Sequence, residues 1–166
     1  MRFTIAFLTL LALTATGYAQ TPYVDRIEIL QSGIFTAQKT ATTAVPGATG
    51  GAISSLSGIQ HVRTTDSIPG QLGIRFGFRF KIIGRPDGAS VTLRYIILTP
   101  PPGIRDPKSG NTIMRSEYSR ERTVGQESYR DFGFDDAWEI VPGVWTFEIW
   151  QGDRKLTSKT FTVTRP

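Results

Sequence analysis

From Leu72 to Ile83 the chain alternates without a break: Ile74, Phe76, Phe78, Phe80 and Ile82 fall on one side, Arg75, Gly77, Arg79 and Lys81 on the other. A period of two kept over that length predicts a strand with a buried aromatic face and a basic outer face. After a turn at Arg85-Pro86-Asp87-Gly88, Val91, Leu93, Tyr95 and Ile97 form a second inward face, with Thr92 and Arg94 outside. If these two strands pair through that turn, Arg94 joins Arg75, Arg79 and Lys81 on one sheet surface.

The clearest hairpin runs from Pro142 to Val163. Val144 to Trp150 alternates, Gln151 to Arg154 holds a Gly-Asp turn, and Lys155 to Val163 returns. Trp150 points away from Trp145, Phe147 and Ile149. Leu156 sits at an even position while Phe161 and Val163 are odd, so a bulge or strand switch is expected between Thr157 and Thr160.

Tyr23 to Gln31 reads as an edge strand with Ile27 and Ile29 on one face, resuming at Ile34 after Ser32-Gly33. Asn111 to Ser119 and Ser128 to Phe134 are weaker strands with mixed faces, around a charged turn centred on Arg120, Glu121, Arg122 and Gly125. Residues near 40–58, rich in Ala, Thr, Ser and Gly, predict a long flexible loop. Thr99 to Gly110, with Pro100, Pro101 and Pro102, is expected to lie outside any regular ladder.

About seven to nine strands between Gly- and Pro-rich turns, and no amphipathic helix, predict an all-β antiparallel sandwich of immunoglobulin-like type. A closed β-barrel is the alternative that alternation by itself does not separate from it.

The start of the chain changes the picture of where this domain works. Arg2, an apolar run from Ile5 to Ala15, and Gly17-Tyr18-Ala19 form the three parts of a secretory signal peptide. Residues 1–19 are expected to be removed, leaving a single domain over 20–166 that is exported to the periplasm or the medium without a membrane anchor. There is no cysteine in the chain, so no disulfide can brace it, and packing and strand pairing must suffice. The formal charge is +5, one less without Arg2; this modest excess makes anionic partners somewhat more expected, but plain solubility is the better account of the charge by itself.

Candidate chemistry is sparse. His61 is the sole histidine, so multi-histidine zinc sites and soft-ligand sites are excluded, and no G-x-S-x-G elbow accompanies it. No GxxxxGK phosphate loop occurs. Asp135, Asp136 and Glu139 are the only local carboxylate cluster; their spacing is not that of an EF-hand, and a capping turn beside Trp138 explains them. No catalytic residue, metal site or cofactor is assigned. The residues proposed to bind an anion or polymer are Arg75, Arg79, Lys81, Arg94 and Trp150.

Several motifs together, IPGQLGIRFGFRFKIIG, TPPPGIRDPKSG, FDDAWEIVPGVWTFEIWQGDRKL and the final KTFTV, resemble an uncharacterised bacterial family of exported β-rich domains, domain of unknown function 3859. The resemblance runs from VDRIEIL to the end and carries no activity or catalytic residues with it. The closing G-x-W-x-F and F-x-V pattern resembles the last two strands of bacterial immunoglobulin-like modules.

Three functions follow as expectations. The first is a non-enzymatic binding or accessory module of the cell envelope. The second is recognition of an anionic or sugar polymer through the basic sheet face or Trp150, and the third a hydrolase built on Asp135, Asp136 or Glu139. An envelope protein or an anionic polymer is the expected partner, and nucleic acid is not.

Overall fold

The structure, a computed structural model, describes residues 21–107 and 109–165. The leader pattern of residues 1–19 lies outside the described residues. Eleven strands are formed among them: β1 (Tyr23–Ala44), β2 (Ala52–Arg63), β3 (Ser67–Pro69), β4 (Arg75–Arg85), β5 (Ser90–Leu98), β6 (Ile104–Arg105), β7 (Thr112–Ile113), β8 (Arg115–Thr123), β9 (Glu127–Gly133), β10 (Gly143–Gln151) and β11 (Arg154–Thr164). They build a first sheet of order β2-β1-β4-β9 and a second of order β3-β11-β10-β5-β8, with β6 and β7 as a separate small pair. Neither sheet closes on itself, which selects the sandwich over the barrel.

The alternating strands do what their periodicity predicts. Phe76, Phe78, Phe80 and Ile82 of β4 are fully buried, and so are Trp145, Phe147 and Ile149 of β10. Val91, Leu93, Tyr95 and Ile97 of β5 complete the facing wall. Phe76 lies at the centre, with ring centroids of Phe134, Phe161, Phe147 and Trp145 at 5.3, 5.4, 5.6 and 5.7 Å. Each large apolar side chain buried in this way contributes roughly 1.5–3 kcal/mol. The tilted and edge-to-face geometries add to that, because ring edges meet the negative faces of their neighbours.

Several expectations are corrected. β4 and β5 do not pair: β4 lies between β1 and β9, whereas β5 lies between β10 and β8 in the other sheet. The Pro-Asp-Gly turn is a sheet-to-sheet crossing, because both strands carry one apolar face and those faces bury each other best by stacking. The 40–58 segment is not a loop. β1 and β2 continue as a ladder through Lys39↔Leu56 to Ala44↔Ala52, and only residues 45–51 turn. Thr-rich extended backbone pairs with itself there without needing an apolar face.

Further differences are local. β1 is an edge only over its first half, paired with β4 alone, and gains β2 as a second neighbour from Ile34. The β10–β11 bulge falls at Leu156, between Lys155 and Thr157, rather than after Thr157. It lets Leu156 pack against the core while Phe161 and Val163 keep theirs. The Pro-rich stretch holds the two-residue ladder of β6 with β7. Arg120 and Arg122 belong to β8 instead of a turn.

Replacing Phe76 with Ala should cost about 3–5 kcal/mol, the range for a large ring lost from a core that cannot collapse around the gap. Urea denaturation measures it; a loss below about 1 kcal/mol would mean the sheets are held elsewhere.

Candidate functional site

β8 ends the second sheet and β9 ends the first, and the two edges lie on the same side of the sandwich without pairing. Between them opens a cleft of about 420 Å³, a size typical of small-ligand sites. One wall is the inward face of β8, with Ser116, Tyr118, Arg120 and Arg122; another is β9, with Ser128, Arg130 and Phe132. The mixed character of these strands has its cause here: their inner faces border the cleft rather than closing the apolar core.

The far half of the β1–β2 hairpin forms the third wall. β1 leaves β4 after Phe35 and runs past β9 toward β8. Phe35 meets His61 and Tyr129 edge-on at 5.0 and 4.9 Å. Lys39 pairs with Asp135, and the Glu117 amide of β8 donates to the Gly47 carbonyl at 2.8 Å. Gly47, at φ +85°, is required there, since a Cβ would collide with the Glu117 carbonyl oxygen. His61 therefore packs against Phe35, with its Nε2 3.2 Å from the Ser32 carbonyl oxygen, a structural role.

The charges around the cleft fall into two groups. At one end the acids are engaged. Asp131 pairs with Arg75, and Asp135 lies 4.0 Å from Arg75 in addition to its bond with Lys39. Glu139 Oε2 accepts from the amides of Asp135 and Asp136 at 2.7 and 2.9 Å, closing a capping box on the 137–139 turn. Burial pushes the Asp131 and Glu139 carboxyls up; Arg75 opposes this for Asp131, and the two amides oppose it for Glu139.

Further along, the cations lie mainly against rings, although Arg130 also stands near the Asp131 carboxylate and donates to the Asp131 carbonyl at 3.2 Å. The Arg130 guanidinium is 5.1 Å from the Tyr118 ring centroid, 5.7 Å from that of Tyr95 and 5.8 Å from that of Phe147. Its Nη1 donates to the Tyr118 hydroxyl at 2.9 Å. Arg122 lies 5.6 Å from the Tyr95 ring and donates from Nε to Ser128 Oγ at 3.0 Å. Arg120 lies 5.8 Å from the Tyr118 ring. Ring faces hold a cation in place without cancelling its charge.

The five residues expected to form one binding surface are divided. Arg75, Arg79 and Lys81 share the outer face of the first sheet, whereas Arg94 and Trp150 are neighbours on the second. Arg75 is engaged by Asp131, Arg79 donates to the Ile59 carbonyl at 3.2 Å, and Lys81 is exposed between Glu28 and Glu127. Trp150 is half-buried, with Arg94 and Lys155 each 5.3 Å from its ring. Its indole N–H donates to Glu148 at 2.8 Å, as does Lys155. Burial would raise the Glu148 carboxyl, but these two hydrogen bonds together with the Lys155 and Arg115 charges outweigh it and hold the group below its usual range. Only Arg75 of the five borders the cleft. Arg120 and Arg122 would have been legible as a positive stripe at even positions, had the predicted strand ending at Ser119 been carried on to Thr123.

Two open sheets stacked face to face around an aromatic core, with one parallel and otherwise antiparallel pairings, define an immunoglobulin-like β-sandwich. An immunoglobulin-like protein from Pseudomonas aeruginosa is similar over 89% of this chain and 99% of its own, at 25% identity and a TM-score of 0.59. The chain belongs to the family described as a domain of unknown function, DUF3859, which matches residues 24–163. An alkylpurine DNA glycosylase from Pseudomonas fluorescens is similar at 16% identity and a TM-score of 0.40, over 61% of this chain and 28% of its own. A β-glucosidase from Listeria innocua is similar at 9% identity and a TM-score of 0.34, over 80% of this chain and 16% of its own. Both are too distant to carry an argument. No curated protein matches the chain.

Tyr129, at the cleft, gives a pH test. Burial, and then the nearby Asp131 charge, push its phenol far above the ordinary 10.0. Unfolding restores the ordinary value, so the contribution to stability is complete below pH 10.0 and is lost as pH rises past it, where the unfolded chain ionises first. Tyr129→Phe should flatten the alkaline fall in stability, read by denaturation between about pH 8 and 11. An unchanged slope would show the phenol ionising freely in the folded protein.

Proposed function

We propose that this protein is an exported, non-enzymatic binding module of the cell envelope that recognises its partner through the cleft between β8 and β9. The immunoglobulin-like fold and the family are compatible with a non-enzymatic module. The leader pattern at residues 1–19 supports export. No helix among the described residues is long and apolar enough to cross a membrane.

The observation that carries this reading is the state of the cleft's carboxylates. An acid catalyst needs a raised carboxyl within reach of substrate, and Glu139 and Asp131 are raised. Yet Glu139 holds two backbone amides and Asp131 holds Arg75, so each has a structural partner that protonation would weaken. What remains open to a ligand is donors, hydroxyls and ring faces, the composition of a recognition site.

Ser55 is exposed on the hairpin wall of the cleft, and Ser55→Trp should fill the mouth without touching the core. Immobilised wild-type protein is expected to retain a specific component of an envelope extract that S55W loses. Equal retention by both would place recognition elsewhere. Repeated failure of the wild type to retain anything specific would overturn the binding role.

A further inference from the structure

The three arginines along the β8 side of the cleft carry more positive charge than the acids beside them offset: Asp131, already paired with Arg75, is the carboxylate that acts on Arg130. Arg120, Arg122 and Arg130 make no ion pair among the described residues. Arg130 is only 7% exposed. A cation taken that far from water is costly unless an anion compensates it. Two more arginines on the neighbouring edge strand add like-charge repulsion, which an anion bound among them would relieve.

The donors left over match an oxyanion. The Arg120 guanidinium makes no hydrogen bond among the described residues and lies against the Tyr118 ring. Arg122 uses Nε and Nη1, on Ser128 Oγ and the Glu121 carbonyl, and also faces the Tyr95 hydroxyl, so it offers a ligand mainly its charge. The Tyr129 hydroxyl and Arg130 Nε are buried without a partner. Guanidinium forks of this kind bind carboxylate or phosphate oxygens through paired N–H donors. Ser116 and Ser128 offer hydroxyls to the rest of a ligand, while Ile53 and Leu56 of the hairpin supply an apolar side.

Resting on the reading of this cleft as the recognition site, we propose that Arg120, Arg122 and Arg130 bind an oxyanion, carboxylate or phosphate, carried on a polar organic body about the size of one sugar ring. This differs from the expected basic ribbon on β4, where Arg75 is neutralised by Asp131. Asp135 and Glu139 lie beyond Asp131 at the capping turn, engaged by Lys39 and by backbone amides, so a ligand enters with its anionic end toward Arg120 and Arg122.

Calorimetric titration of the full chain with glucose 6-phosphate, glucuronate and glucose tests this. At least one charged probe should bind and glucose should not, the choice between the two reporting phosphate or carboxylate as the source. Binding should weaken as salt is added. In Arg120→Gln/Arg122→Gln it should weaken about tenfold or more, a loss of about 1.4 kcal/mol or more. If the double variant does not fold, Arg120→Gln alone is measured, because its side chain makes no hydrogen bond in the protein. Failure of both charged probes, equal binding of glucose, or undiminished binding by the folded variant would overturn the proposal. Failure here with loss of partner retention in S55W would leave the cleft as the recognition site and remove only the oxyanion.

Discussion

The contact on which the other features depend is the packing of the Phe76 ring against aromatic side chains of the opposite sheet. Phe76 comes from β4, Trp145 and Phe147 from β10, and Phe161 from β11. Rings of that volume hold the sheets at the separation usual for face-to-face packing, about 10 Å. With that spacing set in the middle, the sandwich must be finished at its sides by something other than more core. On the side of β8 and β9 it is finished by arginines lying on tyrosine rings, and the cleft is what remains open.

Unpaired strand edges invite association with other chains, and proteins cover or charge them. Here the β1–β2 hairpin does part of this. Its tip accepts the Glu117 amide of β8 through Gly47, and its stem is held by Lys39–Asp135 and by the packing of Phe35 and His61 beside Tyr129. The same hairpin that shields the edges completes the wall of the cleft. Edge cover and one wall of the cleft therefore come from the same element.

Strand character was legible wherever one face was wholly apolar. β4, β5 and β10 are readable from Phe76 to Phe80, Val91 to Ile97 and Trp145 to Ile149, because burial on one side leaves a period of two in the residues. β8 was legible only as far as Ser119, since Arg120 and Arg122 point inward yet are polar, and alternation between two kinds of polar residue looks like a turn. The 40–58 segment was misread for a related reason. Its side chains are small and mostly exposed, so the pairing that makes it a hairpin lies in backbone hydrogen bonds, which composition does not report. Of the candidate site, only Arg75 was anticipated, and the acids at Asp135 and Glu139 were correctly seen as a capping turn.

The residues alone determined the all-β class, the inward faces of the main strands, the Gly152-Asp153 turn and the outward direction of Trp150, since each follows from local alternation or local turn chemistry. Tertiary structure decided which strand lies beside which. β4 and β5 are four residues apart in the chain yet belong to different sheets, which moves Arg94 away from Arg75 and Arg79. β8 and β9, also consecutive, are likewise split, which brings Arg120 and Arg122 to face Arg130 across a gap. Partner choice depends on how whole faces bury one another across the core, a sum over distant residues that no local pattern contains.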